Sequence, residues 1–340
     1  MQNQFHHAPG VTPAGSLLDG APVQRITLSN GSLTLVLLTR GAILNDLRLA
    51  GVPHSLTVGS PDIAAYEGPL DYFGAIVGPV ANRIADGRAT LGGRIFELEK
   101  NERGRTLHSG PSGTHAQNWE VDQVTEAQAV LTLSLPDGAG GFPGNRAVAA
   151  RYALVADDTV ELRIAATTDA PTWVNFASHA YWNLDGTPTL DGHRLQIAAD
   201  RYLPTDATAL VTGEIAPVAG TPFDFRSARP IGPGTEPRLD HNFCLADDRR
   251  PLTEALTLTG ASGLALTVST TEPGVQVFDA GPIDGGGARD HAGRPIGAFA
   301  GLAIEPQGWP DAPNRPDFPP VVLRAGHSYE QITRFRFHRA

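Results

Sequence analysis

The chain has 340 residues, 41% hydrophobic and 18% charged, which is the composition of a folded globular protein rather than a disordered one. Its formal net charge of −10 argues against phosphate-neutralising contacts with nucleic acid and against an anionic membrane surface. The single cysteine, Cys244, excludes an intrachain disulfide and a thiolate metal cluster, and with no basic-then-apolar leader a cytoplasmic setting is expected.

The first twenty residues, with His6, His7, Pro9, Gly10 and Pro13, read as a flexible arm ahead of one domain spanning 21–340. Strand signals then run the length of the chain. Val23 to Ser29 and Ser32 to Thr39 flank Asn30-Gly31, a two-residue hairpin turn. Ala129 to Leu135 alternates and stops at Pro136-Asp137-Gly138. Arg151 to Ala156 and Thr159 to Ala165 flank Asp157-Asp158, and Ala255 to Thr259 and Leu264 to Thr270 flank a glycine-bounded turn. Near the end, Tyr329, Gln331, Thr333, Phe335 and Phe337 recur every second residue, the period of a half-buried strand. No window holds a capped 3.6-residue period, and no stretch approaches the ~18 apolar residues of a membrane span. With 38 glycines and 28 prolines for turns, the expected fold class is all-β with few short helices.

Several chemistries are missing. There is no phosphate-cradling Gly-rich loop ending in Lys-Ser/Thr, no His-Glu-x-x-His, and no Gly-x-Ser-x-Gly. Lys100 is the sole lysine, so Schiff-base chemistry would depend on it alone. What remains is histidine, carboxylate and arginine on a β scaffold, which suits proton transfer without a cofactor. Polar groups concentrate in a few otherwise apolar segments. Asn82-Arg83 sits between small apolar residues; Asn82 also reads as an exposed turn, whereas Arg83 points to a carboxylate or hydroxyl partner. His108, in Thr106 to Gly110, reads by itself as a satisfied loop histidine. His179 lies among Phe176, Tyr181 and Trp182, as a sugar site requires, yet a buried core histidine fits the pattern equally. Glu305 ends an apolar run before Pro306, where a carboxylate is costly unless paired or functional. Asp240-His241-Asn242 alone could be a simple turn.

At these residues the chain resembles the aldose 1-epimerase (galactose mutarotase) family. The likeness is carried by Ala81-Asn82-Arg83-Ile84, Leu107-His108-Ser109-Gly110, Gly141-Phe142-Pro143-Gly144, Ser178-His179-Ala180-Tyr181-Trp182-Asn183-Leu184, Gly220 to Arg226, Asp240-His241-Asn242, Pro273-Gly274-Val275-Gln276 and Glu305-Pro306-Gln307, in that order. It implies a large antiparallel β-sandwich of the galactose mutarotase-like kind, with an open sugar cleft. It also implies interconversion of the α and β anomers of a free aldose such as galactose, glucose or a pentose. His179 would then be the general acid and Glu305 the general base. Asn82, Arg83, His108, Tyr181, Asp240 and Gln276 would bind the sugar. The reaction requires no metal, nucleotide or redox cofactor. A monomer or homodimer is expected. Departures from the family's pattern at Gly78-Pro79, Ser109 and Phe278-Asp279-Ala280-Gly281 bear on which sugar is preferred. Three rival readings remain: an epimerase of a phosphorylated hexose using Arg226, Arg229, Arg249 and Arg250, a non-catalytic sugar-binding protein, and a glycoside hydrolase.

Overall fold

A computed structural model describes residues 9–340. Helical turns among them are limited to five 3-10 segments of three to five residues. No helix among the described residues is long and apolar enough to cross a membrane. The rest is antiparallel sheet and connecting loop, as the turn-rich, period-two sequence requires.

Nine strands form the largest sheet, in the order Glu120–Val124, Gln128–Leu135, Arg146–Ala156, Thr159–Thr168, Ser328–Arg339, Leu264–Thr270, Thr253–Thr259, Arg194–Ile197 and Arg229–Pro230. The alternating C-terminal strand lies at its centre. It buries Tyr329, Gln331, Thr333, Phe335 and Phe337 and turns the residues between them outward. A second sheet of six strands runs Tyr181–Trp182, Leu302–Gln307, Gly274–Phe278, Asp240–Cys244, Arg201–Leu203 and Ala216–Pro217. Its inner face supplies Trp182, Val275, Val277, Leu302 and Ile304 to the main core, where Trp182 packs 4.9 Å from Phe335 between ring centroids. A four-stranded sheet, Gly10–Ser16, Pro22–Ser29, Leu33–Leu38 and Ile43–Leu49, covers the same core through Leu28, Leu35 and Leu47.

Two expectations need correction. Part of the N-terminal arm is a strand: Gly10–Ser16 pairs antiparallel with Pro22–Ser29, with an irregularity between Pro13 and Gly15. This strand is mostly exposed and made of small residues, so it has no apolar alternation to read; backbone hydrogen bonds hold it to the sheet edge, helped by Ala14 packing on the cluster around Leu17 and Ile63. Residues 1–8, including His6 and His7, lie outside the described residues. Nor does Glu305 end its strand, which continues through Pro306 to Gln307. Proline is tolerated because only one neighbour pairs there: Tyr181–Trp182 reaches no further than Ala303, while Val275 sits opposite Pro306.

Phe335→Ala would empty the space beside Trp182 at the sandwich centre. It is expected to lower the unfolding free energy by about 3–5 kcal/mol in urea titration, with activity retained in the folded fraction. A loss under ~1 kcal/mol would mean that this contact is not central to the core.

Candidate active site

Strand parity builds the floor of the site. Antiparallel partners project from the same face, and Glu305 stands opposite Gln276. Since Ile304, Val275 and Val277 point into the core, Glu305 and Gln276 point away from it. Asp240 belongs to the next strand, where Gln276 Nε2 donates to its Oδ1 at 2.7 Å.

Two other elements close over this floor. His179 follows the short Ala177–Ser178 strand, and its Nε2 lies 3.6 Å from Glu305 Oε1. Both side chains are almost fully buried, at 6% and 2% exposure. His108 follows the Thr106–Leu107 strand, which pairs with Arg83–Ile84. Asn82, His108 and Ser109 all have left-handed backbone, with φ of 63°, 48° and 69°. Such φ values are uncommon outside glycine, and here they cluster where the chain must turn inward. The two turns lock together: the Asn82 N–H donates to His108 Nδ1 at 3.1 Å, and the His108 N–H donates to the Asn82 carbonyl at 3.0 Å. With Nδ1 accepting, a neutral His108 carries its proton on Nε2.

Arg83 joins the two sides. It donates twice to Glu102, at 2.8 and 3.0 Å, and once each to Asp240 Oδ2 and the Ala209 carbonyl, both at 3.3 Å. Burial would lower its pKa, but the bonds and charges of Glu102 and Asp240 outweigh this and raise it. Burial would raise the Glu102 pKa, and Arg83 overrides it downward. The two remain an ion pair throughout the working pH range.

The catalytic candidates behave differently. Burial, with the Asp240 charge adding to it, holds the Glu305 carboxyl well above the usual range, and Arg83 opposes this only in part. Burial pushes His179 down to about 4; its own backbone opposes the fall and His115 adds to it. His108 is held well below its usual value by burial and by the charges of His179, His115 and Arg83. Glu305 Oε2 and His179 Nδ1 are buried without a hydrogen-bond partner. Tyr181 lies against His179 at 5.1 Å between centroids and stacks on Phe73 at 4.0 Å, giving the site an apolar wall.

The ring nitrogens of His108 and His179 and a Glu305 oxygen lie within 4.8 Å of one another, a donor set able to hold a metal ion. Tetrahedral zinc at its usual ~2.0–2.1 Å bond lengths brings its ligands to roughly 3.4 Å apart. This trio is spread more widely, and a sugar oxygen between the groups matches its spacing better.

The eight candidate site residues therefore lie together, joined by these contacts, and others join them. Glu102 holds Arg83. Tyr72 packs its ring 4.8 Å from His108 and 4.7 Å from His115. His115 is buried with its Nε2 3.4 Å from Asp71. Ser109 and Asp279, two of the departures, serve the scaffold. Ser109 Oγ bonds both backbone polar groups of Val80, and Asp279 pairs with Arg238.

The family model described as aldose 1-epimerase matches residues 24–336. The chain belongs to the aldose 1-epimerase family. Over 96% of both chains it is 36% identical to a galactose mutarotase of Mus musculus. It is 33% identical to an aldose 1-epimerase of Escherichia coli K12, over 98% of this chain and 99% of that one. The crystal structure of an aldose epimerase homologue from C. elegans superposes with a TM-score of 0.86 at 29% identity, covering 93% of this chain and 99% of the other. Family and fold together make this chain an isomerase of the mutarotase class, acting on aldoses.

Because Asn82 donates to Nδ1 and burial, with the charges of His179, His115 and Arg83, disfavours a charge, His108 is expected to stay in the neutral Nε2–H form from pH 8 down past its ordinary titration range. Two-dimensional ¹⁵N NMR of the ring would show this directly. A doubly protonated His108 at pH 6 would contradict the assigned tautomer.

Proposed function

We propose that His179 and Glu305 exchange protons with the anomeric end of a free aldose, while Asp240, Gln276, Arg83 and His108 hold the rest of the ring. The observation carrying this reading is the 3.6 Å approach of His179 Nε2 to Glu305 Oε1 between two almost fully buried side chains. Ring opening requires a base at the anomeric hydroxyl and an acid at the ring oxygen. These atoms share one carbon, so two groups this close can reach both.

Proton bookkeeping supports the pair. Chemistry needs a carboxylate on Glu305 and a proton on His179, one proton between the two. Burial without ligand favours the neutral arrangement, with that same proton on Glu305. A bound sugar brings hydroxyl donors to Glu305, whose Oε2 has no protein partner, and an oxygen acceptor to His179. Both contacts favour moving the proton to His179, so the active form arises inside the site without exchange with solvent. Glu305 then removes the anomeric proton and His179 protonates the ring oxygen. The ring opens, the carbonyl end rotates about one carbon–carbon bond, and closure on the other face reverses both transfers. His108 Nε2–H and the remaining Arg83 N–H are the donors for ring or carbonyl oxygens. Asp240, fixed by Arg83 and Gln276, accepts from a distal hydroxyl.

The substrate is an unphosphorylated aldose. Three of the arginines considered for a phosphate are engaged elsewhere, Arg226 with Asp224 and Asp200, Arg229 with the Pro222 and Asp224 carbonyls and Arg249 with Glu272, while Arg250 bonds the Leu245 carbonyl and has its Nε and Nη2 buried and unpartnered. A glycoside hydrolase would need a second available carboxylate, and Asp240 is tied to Arg83 and Gln276. The lone buried thiol, Cys244, is in keeping with a cytoplasmic setting.

Glu305→Gln and His179→Asn should each lose on the order of 10²–10⁴ in kcat, followed by polarimetry on fresh α-glucose and α-galactose, with sugar affinity kept. Wild-type equilibration rates in Glu305→Gln would remove it as the base.

Activity should also follow the pair's single proton. His179 is depressed, so a second proton enters only as pH falls toward about 4. Glu305 is raised, so the shared proton is lost only well above the ordinary carboxylate range. The expected kcat/KM profile is a plateau between these two limits that falls on either side. A profile with an acid limb centred near the ordinary histidine value would contradict the shared-proton state.

A further inference from the structure

Three histidines meet around one tyrosine. The Tyr72 ring lies 4.8 Å from His108 and 4.7 Å from His115 between centroids, tilted 53° to each. It faces His179 at 6.1 Å, with the two planes 29° apart. His108 and His179 themselves meet edge to face at 5.2 Å. Hydrogen bonds do little to set the planes of these two rings. Among the described residues, His179 Nδ1 is buried without a partner, and His108 is bonded at Nδ1 only, by Asn82. The torsion that turns an imidazole about its Cβ–Cγ bond is intrinsically broad, so what packs on the ring decides its tilt.

Tyr72 is itself held at both ends. Its backbone belongs to a segment locked to His179: the Gly74 N–H donates to the His179 carbonyl at 3.0 Å, and the His179 N–H to the Ala75 carbonyl at 2.8 Å. At the other end, the Tyr72 hydroxyl accepts from Asn101 Nδ2 at 3.2 Å. The Asn101 side chain also bonds both polar groups of the Leu107 backbone, at 2.7 and 3.0 Å, one residue before His108. The turn that carries Asn101 is closed by its N–H on the Arg105 carbonyl. Arg105 in turn lies 3.3 Å from Glu102 and donates to the Thr208 carbonyl and hydroxyl. One ring thus bridges the backbone of His179 and the backbone next to His108. It is no rival proton donor. Burial, with the charges of Asp71 and Glu102 adding to it, pushes its hydroxyl up to about 12 against the opposition of Asn101 and Arg83, so it stays protonated through neutrality.

We propose that Tyr72 is a positioning residue for the reaction: its ring, anchored through Asn101, fixes the planes of His108 and His179, keeping His179 Nε2 against Glu305 and His108 Nδ1 under the Asn82 N–H. This rests on the mutarotase reading of His179 and Glu305. Proton transfer is sensitive to displacements of a fraction of an ångström, so loosening these rings slows the chemistry before it weakens sugar binding.

The test compares intact wild-type protein with Tyr72→Ala, Tyr72→Leu and Tyr72→Phe, by polarimetry on fresh α-glucose and α-galactose and by ¹⁵N NMR of the histidine rings at pH 8. Tyr72→Ala should lose about tenfold or more in kcat, with KM within about threefold of wild type. Tyr72→Phe keeps the ring and should restore kcat to within about threefold. The His108 ring, in one Nε2–H form in wild type and Tyr72→Phe, should become a mixture of both neutral tautomers in Tyr72→Ala. Thermal unfolding shows which variants are folded; if Tyr72→Ala is not, Tyr72→Leu, which fills the space without an aromatic face, is read in its place. A folded variant lacking the ring that keeps wild-type kcat, or keeps His108 in one tautomer, would overturn the proposal. So would a loss confined to KM, which would make Tyr72 a sugar contact, and a loss shared by Tyr72→Phe, which would assign the effect to the hydroxyl. Wild-type protein with no turnover of any aldose would overturn the mutarotase reading instead, and the NMR comparison would then still decide whether Tyr72 holds His108.

Discussion

A carboxylate as deeply buried as Glu305 is unfavourable in nearly every part of a protein, and the two-residue alternation of one sheet is what makes it sustainable here. The strands Leu302–Gln307 and Gly274–Phe278 pair in register, so Ile304, Val275 and Val277 fill the core while Glu305 and Gln276 line the cleft. A slip of one residue would drive Glu305 into the core and empty the site. The apolar half of each strand thus fixes the polar half. Packing against Trp182, Phe335 and Phe337 is in this sense part of the active-site geometry.

The walls obey a different constraint. His108, His179 and Asn82 stand on short strands and turns, where direction is set by backbone conformation more than by packing. The positive φ at Asn82, His108 and Ser109 carries strain that the surrounding bonds must offset. Ser109 Oγ on Val80 and the reciprocal Asn82–His108 bonds do so. The same bonds fix the His108 tautomer, so one set of contacts settles both the shape of the turn and which nitrogen carries the ring proton. Two arrangements of charge then coexist within a few ångströms: Arg83 and Glu102 stay charged because they satisfy each other, while His179 and Glu305 favour neutrality because they are buried and incompletely bonded.

How much of this the sequence disclosed follows from the range of each signal. Hairpins such as Pro22–Ser29 with Leu33–Leu38 announce themselves, because turn chemistry at Asn30-Gly31 and alternation lie within a few residues. The C-terminal strand shows its face for the same reason. His179 alone leaves two readings open, and the resemblance to the family in the ordered segments favours the site over a core histidine. Glu102 and Arg105 went unnoticed because their partners are far along the chain; in isolation, Glu99 to Arg105 is a charged turn like any other on a surface. The first strand was missed because edge pairing uses the backbone and leaves no apolar trace. Pro306 reads as a strand end from sequence alone, since whether its missing N–H matters depends on which neighbours pair there.

The same reasoning bears on the three departures from the family's pattern, which from sequence all bordered the cleft. Once placed, Ser109 and Asp279 turn their polar atoms onto Val80, Arg238 and Leu239, and so act on the scaffold. Only Phe278, opposite Asp240 and near Tyr181, stands at the cleft wall. A difference in sugar preference is thus more readily sought in the shape of that aromatic wall than in His179 and Glu305. The division is physical. Proton transfer tolerates little displacement of His179 and Glu305, whereas a wall that only excludes volume can vary without disturbing them.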